Sequence, residues 1–364
     1  ATAVGPSNAI LAVVLACAVL TYGGVSLFVV AFVAWPLARA LFAETGLPAR
    51  LIPATIALGA FTFTMTALPG TPSIQNAIPM TTFGTTPFAA PGLGVIAAVA
   101  MLGLGMIWLR YRARALAGDA PPELPPASSR GVSLPFWAAV APVLSVGVVT
   151  LAMGWVVLPA MQTGYLALPQ YGVTDLGRVG GLWSVITALT VALVLALVLS
   201  RPPELMKTLN EGAESALLPL FNTASLVGFG AVIASLPGFE VLRQGLDGLS
   251  GGNVVLTAAL SSGALAGITG SASGGMSIAL DVLGPSLMAQ AVAQGVDPAL
   301  LHRVVSVATG GLDTLPHNGA VITLLGICGM THRQAYGDIF MVAVTGPILA
   351  CALIIVLGSM FGSF

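Results

Sequence analysis

Charge is what this sequence has least of. Its 364 residues include 12 Lys and Arg and 13 Asp and Glu, so that charged residues make up only 7% of the chain. Soluble domains are about a quarter charged. Hydrophobic residues account for 57% of the chain, and the mean hydropathy is +0.99. This composition excludes an ordinary soluble domain and predicts a membrane protein whose main surroundings are a lipid bilayer.

Other scarce features exclude further classes of protein. A net charge of −1 argues against a nucleic-acid partner. Cys17, Cys328 and Cys351 stand alone in apolar runs without metal-ligand spacing, so we interpret them as packing residues and expect no metal and no cofactor. The sequence contains neither a HExxH motif nor a paired-aspartate dyad, which argues against an intramembrane enzyme. The chain begins at Ala1 without a signal-peptide pattern, which we interpret as a missing N-terminal segment.

Long uncharged runs recur along the chain. About 20 apolar residues are enough for a helix to cross a bilayer, and several runs are longer than one helix needs. They are interrupted by Gly and Pro clusters, which at membrane depth are tolerated where the freed backbone groups are buried or line a cavity. The sequence therefore predicts an all-α membrane protein, a multi-span helical bundle with re-entrant hairpins and discontinuous helices. The uncharged runs cover residues 1–38, 51–109, 131–174, 179–200, 215–239, 248–280 and 339–364.

The basic residues orient the predicted helices. Arg110, Arg112 and Arg114 follow the apolar stretch 92–109 and mark the cytoplasmic side. Threading the remaining spans from this point places most of the 12 Lys and Arg residues on the same side, as the positive-inside rule favours. The exceptions, expected outside, are Arg178, Arg243 and Arg303.

Two further expectations follow from this topology. The proline-rich segment 115–130 is the candidate linker between two halves of the chain. We therefore divide the sequence into a first inverted repeat with its linker, residues 1–130, and a second inverted repeat, residues 131–364. His302 and His332 stand beside arginines, and we expect them in solvated loops.

A short pattern occurs once in each half. Residues 22–26 read YGGVS and are followed, after a gap, by ALPGTPSIQN; residues 273–277 read SGGMS and are followed by TLPHNGAVIT. In the predicted topology the first broken stretch enters the membrane from the cytoplasm and the second from outside, so the units are inverted. Inverted repeats whose discontinuous helices meet near the midplane are typical of secondary transporters. The alternative is a chance match of two short Gly and Pro motifs.

The broken stretches carry the candidate substrate site. No Lys or Arg lies inside an uncharged run, so a bound anion would be held by hydroxyls, amides and the positive ends of broken helices. Such groups suit a small carboxylate that carries hydroxyls. The alternative is that the Gly and Ser residues only allow close helix packing. The candidate substrate-binding residues are Gly23, Gly24, Ser26, Thr71, Ser73, Gln75, Asn76, Ser271, Ser273, Gly274, Ser277, His317 and Asn318.

Asp313 and His317 are the candidate proton-coupling residues. They stand one helical turn apart if the helix continues past Pro316. Ionisable groups at membrane depth are costly and therefore point to function, and an imidazole gains and loses a proton near neutral pH. The alternative is structural, with His317 capping a half-helix and Asp313 closing a pair.

Long segments carry a resemblance to a known family. LTYGGVSLFVV, GAFTFTMTALPGTPSIQNAIP, GITGSASGGMSIALDVLG and LHRVVSVATGGLDTLPHNGAVITLLGICGMTH are similar to the gluconate permease family of the ion transporter superfamily, and more closely to its D-beta-hydroxybutyrate permease branch. The likeness runs over nearly the whole chain. It implies a proton-coupled symporter for a hydroxy monocarboxylate in the bacterial inner membrane, a homodimer, with its site between two hairpins and two unwound helices.

The resemblance has departures that bear on the substrate and the coupling ion. Family members carry extra N-terminal spans, so the resemblance predicts that this sequence lacks the start of its first repeat. Gluconate-type members place another sequence where LPHNG stands here, which argues against a sugar acid. The Ser-Asn-Thr motifs of sodium-coupled relatives are absent from this sequence, which favours protons. The alternatives are a gluconate or other sugar-acid symporter, a sodium-coupled carrier, and a passive organic-anion channel or facilitator.

Overall fold

The structure, a computed structural model, describes residues 6–25, 27–118, 135–171, 174–238, 241, 245 and 251–364. Ser26 and Arg243, both named in the sequence predictions, lie outside these residues. Every regular element within the described ranges is helical, and the predicted all-α membrane protein is confirmed. Five helical segments of this part of the chain are long and apolar enough to cross a membrane. They are Ala49–Thr66, Pro91–Ala115, Val179–Ser200, Ala272–Gln294 and His332–Phe361.

The first half of the chain contains a helical hairpin, an interrupted helix and one long helix. The predicted interruptions at Gly23-Gly24 and at Pro69–Pro72 are both present. Each lies between two separate helices. A short 3-10 turn at Ala49–Leu51 leads into the interrupted helix. The helices are α1 (Pro6–Tyr22), α2 (Leu27–Thr45), α3 (Ile52–Ala60), α4 (Phe63–Thr66), α5 (Ile74–Phe83) and α6 (Pro91–Ala115).

The middle of the chain is helical as well. Helix α7 continues through a π-helical turn, Met153–Val157, into a short α8, and it packs along α9. Short 3-10 turns at Gly164–Ala167 and Pro169–Tyr171 precede α9. The helices are α7 (Phe136–Ala152), α8 (Leu158–Ala160), α9 (Leu176–Ser200) and α10 (Leu205–Ser235).

The last part of the chain repeats the order of the first. A helical hairpin is followed by an interrupted helix and then by a long segment that contains a π-helical turn at Met341–Thr345. The interruption predicted at Pro316 is confirmed. The helices are α11 (Val254–Thr269), α12 (Ala272–Gln294), α13 (Pro298–Leu312), α14 (Gly319–Ile327), α15 (His332–Phe340) and α16 (Gly346–Phe361).

Side chains at the helix starts explain where these elements begin. Asn253 caps α11 by accepting a hydrogen bond from the Val255 N–H at 2.9 Å. Ser271 caps α12 through the Gly274 N–H, and Asn318 caps α14 through the Val321 N–H. Each oxygen satisfies an N–H group that has no partner within its helix. The second interruption is therefore held open by an Asn cap, with Pro316 before it.

Glycines bring helices into backbone contact in both the first and the last part of the chain. A Cβ added to Gly59 of α3 would lie 2.4 Å from the Val14 carbonyl oxygen of α1, and one added to Gly275 of α12 would lie 2.2 Å from the Ala266 nitrogen of α11. Real side chains do not fit at such distances, so only Gly permits these approaches. Gly275, the second residue of the Gly274-Gly275 pair, has this packing role.

The two interrupted helices cross in opposite directions. Thr85, just after α5, bonds His302 near the start of α13. The segment Ala49–Leu51, where the first interrupted helix begins, packs against α15, which follows the second. The end of the first interrupted helix thus meets the start of the second, and the start of the first meets the helix that follows the second. The two interrupted helices are therefore antiparallel. This arrangement supports the predicted inverted repeats, whose boundaries at 1–130 and 131–364 stay a prediction.

Candidate functional site

The tip of the first hairpin meets the first helix interruption. The Tyr22 hydroxyl donates a hydrogen bond to the Pro69 carbonyl oxygen at 3.0 Å. Gly24 adopts a φ of +85°, and a Cβ on it would lie 3.6 Å from Cγ of Pro72. The turn at Gly23-Gly24 therefore lies against the break at 67–73.

The second hairpin tip meets the second interruption in the same way. The Asn318 amide donates hydrogen bonds to the carbonyl oxygens of Gly270 at 2.8 Å and Asp313 at 2.7 Å. Nε2 of His317 lies 3.0 Å from the Gly267 carbonyl oxygen. Each half thus joins its own Gly-rich tip to its own Leu-Pro break.

Thr71 and Asn76 form the buried side of the first break. Both are fully buried, and the Asn76 amide donates to the carbonyl oxygens of Thr71 at 2.9 Å and Pro87 at 3.0 Å. The Thr71 hydroxyl has no hydrogen-bond partner among the described residues. A buried hydroxyl without a partner is costly, so this group is a candidate contact for a bound molecule.

Ser73 and the main chain of Gln75 make contacts within the fold. The Ser73 hydroxyl donates to the Met65 carbonyl oxygen. The Gln75 backbone carbonyl oxygen accepts from the hydroxyl of Ser306 on α13 at 3.0 Å. Among the predicted side chains of this break, Thr71 is the one whose buried hydroxyl has no partner among the described residues.

Arg303 and His302 correct a sequence prediction. Both were expected in a solvated loop outside the membrane, but they lie within α13 and are fully buried. The guanidinium group donates to the Ala89 carbonyl oxygen through Nε at 3.1 Å and Nη2 at 2.8 Å. Ala89 stands far away in the sequence, in the segment that follows α5, so the residues around Arg303 did not identify its partner.

Asn76 joins the buried His302 and Arg303 to the first break. Its Oδ1 lies 3.0 Å from Nε2 of His302 and 3.4 Å from Nη1 of Arg303. Since the Asn76 amide nitrogen already donates twice, this oxygen acts as an acceptor, and His302 carries its proton on Nε2. Nδ1 of His302 then accepts from the Thr85 hydroxyl at 2.6 Å. A polar network therefore ties α5 to α13.

Asp313 is the buried acidic group of the second break. Its side chain is 4% exposed, and one carboxylate oxygen, Oδ1, has no partner among the described residues. The backbone N–H groups of Ala272 and Thr314 face the carboxylate. The positive end of α12 thus partly offsets the buried charge.

Asp313 and His317 do not share a helical turn. Helix α13 ends at Leu312, so the condition attached to their predicted spacing is not met. His317 is exposed, and the N-cap of α14 is Asn318, not His317. The two groups nevertheless lie in the same interruption and face the same hairpin tip.

The remaining predicted residues surround the second tip. The Ser271 hydroxyl caps α12 and lies 3.5 Å from the Ser273 hydroxyl. Gly274 and Ser277 are buried in the first turns of α12. Ser271 and Gly274 are explained by the helix start, so their presence requires no ligand.

A π-helical turn supports the second break. The Thr314 hydroxyl donates to the Ala343 carbonyl oxygen at 2.9 Å, and the Tyr336 hydroxyl donates to the Thr314 carbonyl oxygen at 3.2 Å. Ala343 lies in the turn Met341–Thr345, whose wider hydrogen-bonding pattern is common at functional sites. Sequence reasoning missed these contacts because a π-turn has no sequence signature of its own.

A separate cavity of about 230 Å³ lies between residues 84–88 and the pair α7 and α9. Its lining is mostly apolar and includes Trp155 and Phe88. Thr85 connects it to the buried network through His302. The cavity was not predicted, because it depends on the packing of the middle helices against the first half.

Comparison with known proteins identifies a similar chain. The uncharacterized transporter YxjC of Bacillus subtilis (strain 168) is 44% identical over 363 residues, which cover 93% of this chain and 76% of the relative. No known protein-family profile matches the chain, and no solved structure matches it. Identity at this level over most of both chains indicates a common fold and a common ancestor.

Proposed function

We propose that this chain, which belongs to the same family as the uncharacterized transporter YxjC, is a secondary active transporter for a small hydroxy monocarboxylate. Its substrate is of the 3-hydroxybutyrate type and moves together with a proton across the bacterial inner membrane. The observation that carries the proposal is the paired geometry: each half places a hairpin tip on a helix break, and the two broken helices cross in antiparallel order.

This geometry suits alternating access. Two oppositely oriented units around a shared centre provide a binding site that stays in place while the units rock around it. Substrate and proton shift the balance between outward-facing and inward-facing states only if they bind one state more tightly. Groups at the tips and breaks are suited to that role, because their contacts change when one unit moves against the other.

The groups at the breaks suit a carboxylate that carries a hydroxyl. The free Thr71 hydroxyl at the first break and the backbone N–H groups at the start of α5 are donors for such a substrate. Family resemblance narrows the substrate to a short hydroxy acid. A larger sugar acid, such as gluconate, is the competing substrate, and a transport assay distinguishes it from a short hydroxy acid.

Asp313 is the stronger candidate for the coupling proton. Its carboxylate is buried, and the described residues give it no basic partner. A buried carboxylate without a cation is most easily accommodated when it binds a proton. His317 is the second candidate, while His332 and Tyr336 contact the backbone of the same break.

Uptake into proteoliposomes tests the function. Purified protein would be supplied with labelled 3-hydroxybutyrate, lactate, gluconate or citrate, under an imposed pH gradient, a sodium gradient, or neither. We expect 3-hydroxybutyrate to accumulate above its external concentration when the lumen is alkaline, without sodium. Accumulation that depends on the sodium gradient would show that sodium, not the proton, is the coupling ion. Flux that only dissipates a gradient would identify a channel. No flux of any of the four acids would refute the proposed substrate class.

The proposed assembly is a homodimer, as the family resemblance implies. Mass measurement of the purified protein in detergent tests it. We expect a mass of twice the 36.6 kDa chain, after subtraction of bound detergent. A single-chain mass at all protein concentrations would contradict the dimer.

A further inference from the structure

Two buried charges of opposite sign stand on or next to the same helix. Arg303 lies in the first half of α13 beside the first break, and Asp313 follows the end of α13 at the second break. Since an α-helix rises about 1.5 Å per residue, their backbones are roughly 15 Å apart. The first break therefore has a buried basic group beside it, whereas the second has a buried acidic group.

The positive charge of Arg303 is not neutralised by an acid. Its guanidinium group bonds the carbonyl oxygens of Ala89 and Thr66 and the amide oxygen of Asn76. Within the part of the chain that the structure describes, no carboxylate lies within ion-pair distance of it. Neutral oxygens solvate a cation without cancelling its charge, and at low dielectric the resulting field reaches further than in water.

The charge of Arg303 lies close to the first break, because two hydrogen bonds connect them. Arg303 bonds Asn76, and the Asn76 amide bonds the Thr71 carbonyl oxygen. Thr71 carries the fully buried hydroxyl that has no partner. The start of α5 adds partial positive charge to the same place, because its first N–H groups point back toward the break.

We propose that Arg303 is a specificity-determining residue that fixes the polarity of binding, so that the substrate carboxylate lies at the first break. Arg303 acts through its charge and does not contact the substrate; it is a positioning residue. The acidic second break, around Asp313, is then left for the coupling proton. This inference rests on the proposed transport function and adds to it the orientation of the substrate.

A purely structural role is the competing explanation. The same hydrogen bonds hold α13 against the end of α4 and the segment before α6, so loss of Arg303 also weakens packing. The two roles predict that different substitutions of Arg303 keep the activity. A lysine keeps the charge but not the two bonds to Ala89, whereas a glutamine keeps part of the hydrogen bonding but not the charge.

The wild-type protein gives the first test. In proteoliposomes, 3-hydroxybutyrate and its uncharged amide, 3-hydroxybutyramide, compete for exchange of labelled 3-hydroxybutyrate. We expect the carboxylate to bind at least about tenfold more tightly than the amide, as an uncompensated buried cation requires. Equal affinities would overturn the inference. Failure of the wild type to exchange any carboxylate would instead overturn the transport function itself.

Three variants give the second test. Arg303→Gln is expected to weaken carboxylate affinity by about tenfold or more and to leave the amide nearly unchanged. Arg303→Lys is expected to stay within about threefold of wild type. Arg110→Gln, which removes an exposed arginine from α6, is the matched control and is expected to change neither. Unchanged affinity in Arg303→Gln, or a lysine variant as impaired as the glutamine variant, would show a structural role.

A further variant covers the case in which Arg303→Gln does not fold. Asn76→Asp keeps the arginine and places a carboxylate where Oδ1 now lies 3.4 Å from Nη1, so that the charge is neutralised in place. Because it also removes the donor to the Thr71 and Pro87 carbonyl oxygens, the uncharged amide is the internal control: carboxylate affinity is expected to fall as in Arg303→Gln while amide affinity stays, and equal loss of both would show a structural role. Wild-type affinity in a folded Asn76→Asp protein would contradict the role of the charge.

Discussion

Thr66 and Gly310 touch where the two interrupted helices cross. A Cβ built on Gly310 would lie only 2.7 Å from Cγ2 of Thr66. Thr66 ends α4 just before the first break, and Gly310 lies in the last turn of α13 just before the second. The distance between the two breaks is therefore set by one pair of side-chain positions.

Enlarging Gly310 should separate the breaks. We expect Gly310→Ala to destabilise the protein by about 1–3 kcal/mol, the usual cost of overpacking a dense interior. Thr66→Ser removes the methyl group and keeps the hydroxyl that bonds Thr62. The double variant should therefore recover most of the loss, as measured by thermal unfolding in detergent. Additive effects of the two substitutions would show that the pair is not in direct contact.

Gly275 should tolerate no side chain at all. An alanine there would place Cβ 2.2 Å from a backbone nitrogen of α11, which cannot move aside as a side chain can. We expect Gly275→Ala to cost about 3 kcal/mol or more, or to prevent folding. Gly326→Ala, in α14 with open space around the added atom, is the control and should be neutral or mildly stabilising. The comparison is made by yield and melting temperature, and equal results would contradict the close approach.

The bond between Asn76 and His302 should show strong coupling. Asn76→Ala leaves the carbonyl oxygens of Thr71 and Pro87 and Nε2 of His302 without their partner. Buried polar groups left in this way cost about 1–3 kcal/mol each. His302→Ala and the double variant complete a cycle, in which we expect a coupling of about 1 kcal/mol or more. Independent effects would place the two residues in separate networks.

Substitutions of Asp313 and His317 should distinguish proton coupling from substrate binding. We expect Asp313→Asn to abolish accumulation driven by a pH gradient while exchange of substrate across the membrane continues, because the amide cannot gain or lose the proton. His317→Ala tests the second candidate in the same uptake assay. Full accumulation by either variant removes that residue from proton coupling, and full accumulation by both would place the proton elsewhere.

The ion pair between Arg112 and Asp338 should be worth much more than a surface pair. Nε of Arg112 lies 2.7 Å from Oδ1 of Asp338, whose side chain is 3% exposed, and the Trp108 indole N–H donates to the same oxygen. Arg112 itself is 24% exposed, so Arg112→Ala should cost less than breaking a fully buried pair, about 3–5 kcal/mol, but more than breaking an exposed one, about 1 kcal/mol, and it should lower the melting temperature. The pair of Lys207 and Glu204 is the control: both side chains are about two-thirds exposed, and Glu204→Ala should cost under about 1 kcal/mol.

The helix interruptions were predictable from sequence because their causes are local. Proline lacks an N–H donor and clashes with the preceding turn, so both Leu-Pro interruptions were found, and the glycine pair at Gly23-Gly24 marked the first tip. The second pair, Gly274-Gly275, lies inside α12, and the turn before it falls at Gly270-Ser271. The contact of each tip with the break in its own half was not predicted, because it joins residues 47 and 48 positions apart. What the motif did not give is the assignment of Ser271 and Asn318 to helix caps, which depends on where each helix starts.

Burial of His302 and Arg303 could not be predicted in the same way. Their partners, Asn76, Thr85 and Ala89, are more than two hundred residues away in the sequence. Charged residues near a predicted helix end are most often solvated, and that general expectation failed here. The apolar residues on both sides, in LLHRVVSV, are the signal that an interior arginine leaves in a sequence of this kind.

The backbone contact at Gly275 also restricts how the protein changes shape. Two helices packed this closely cannot slide past each other without losing the contact along their length. Helices α11 and α12 therefore move together as one rigid unit.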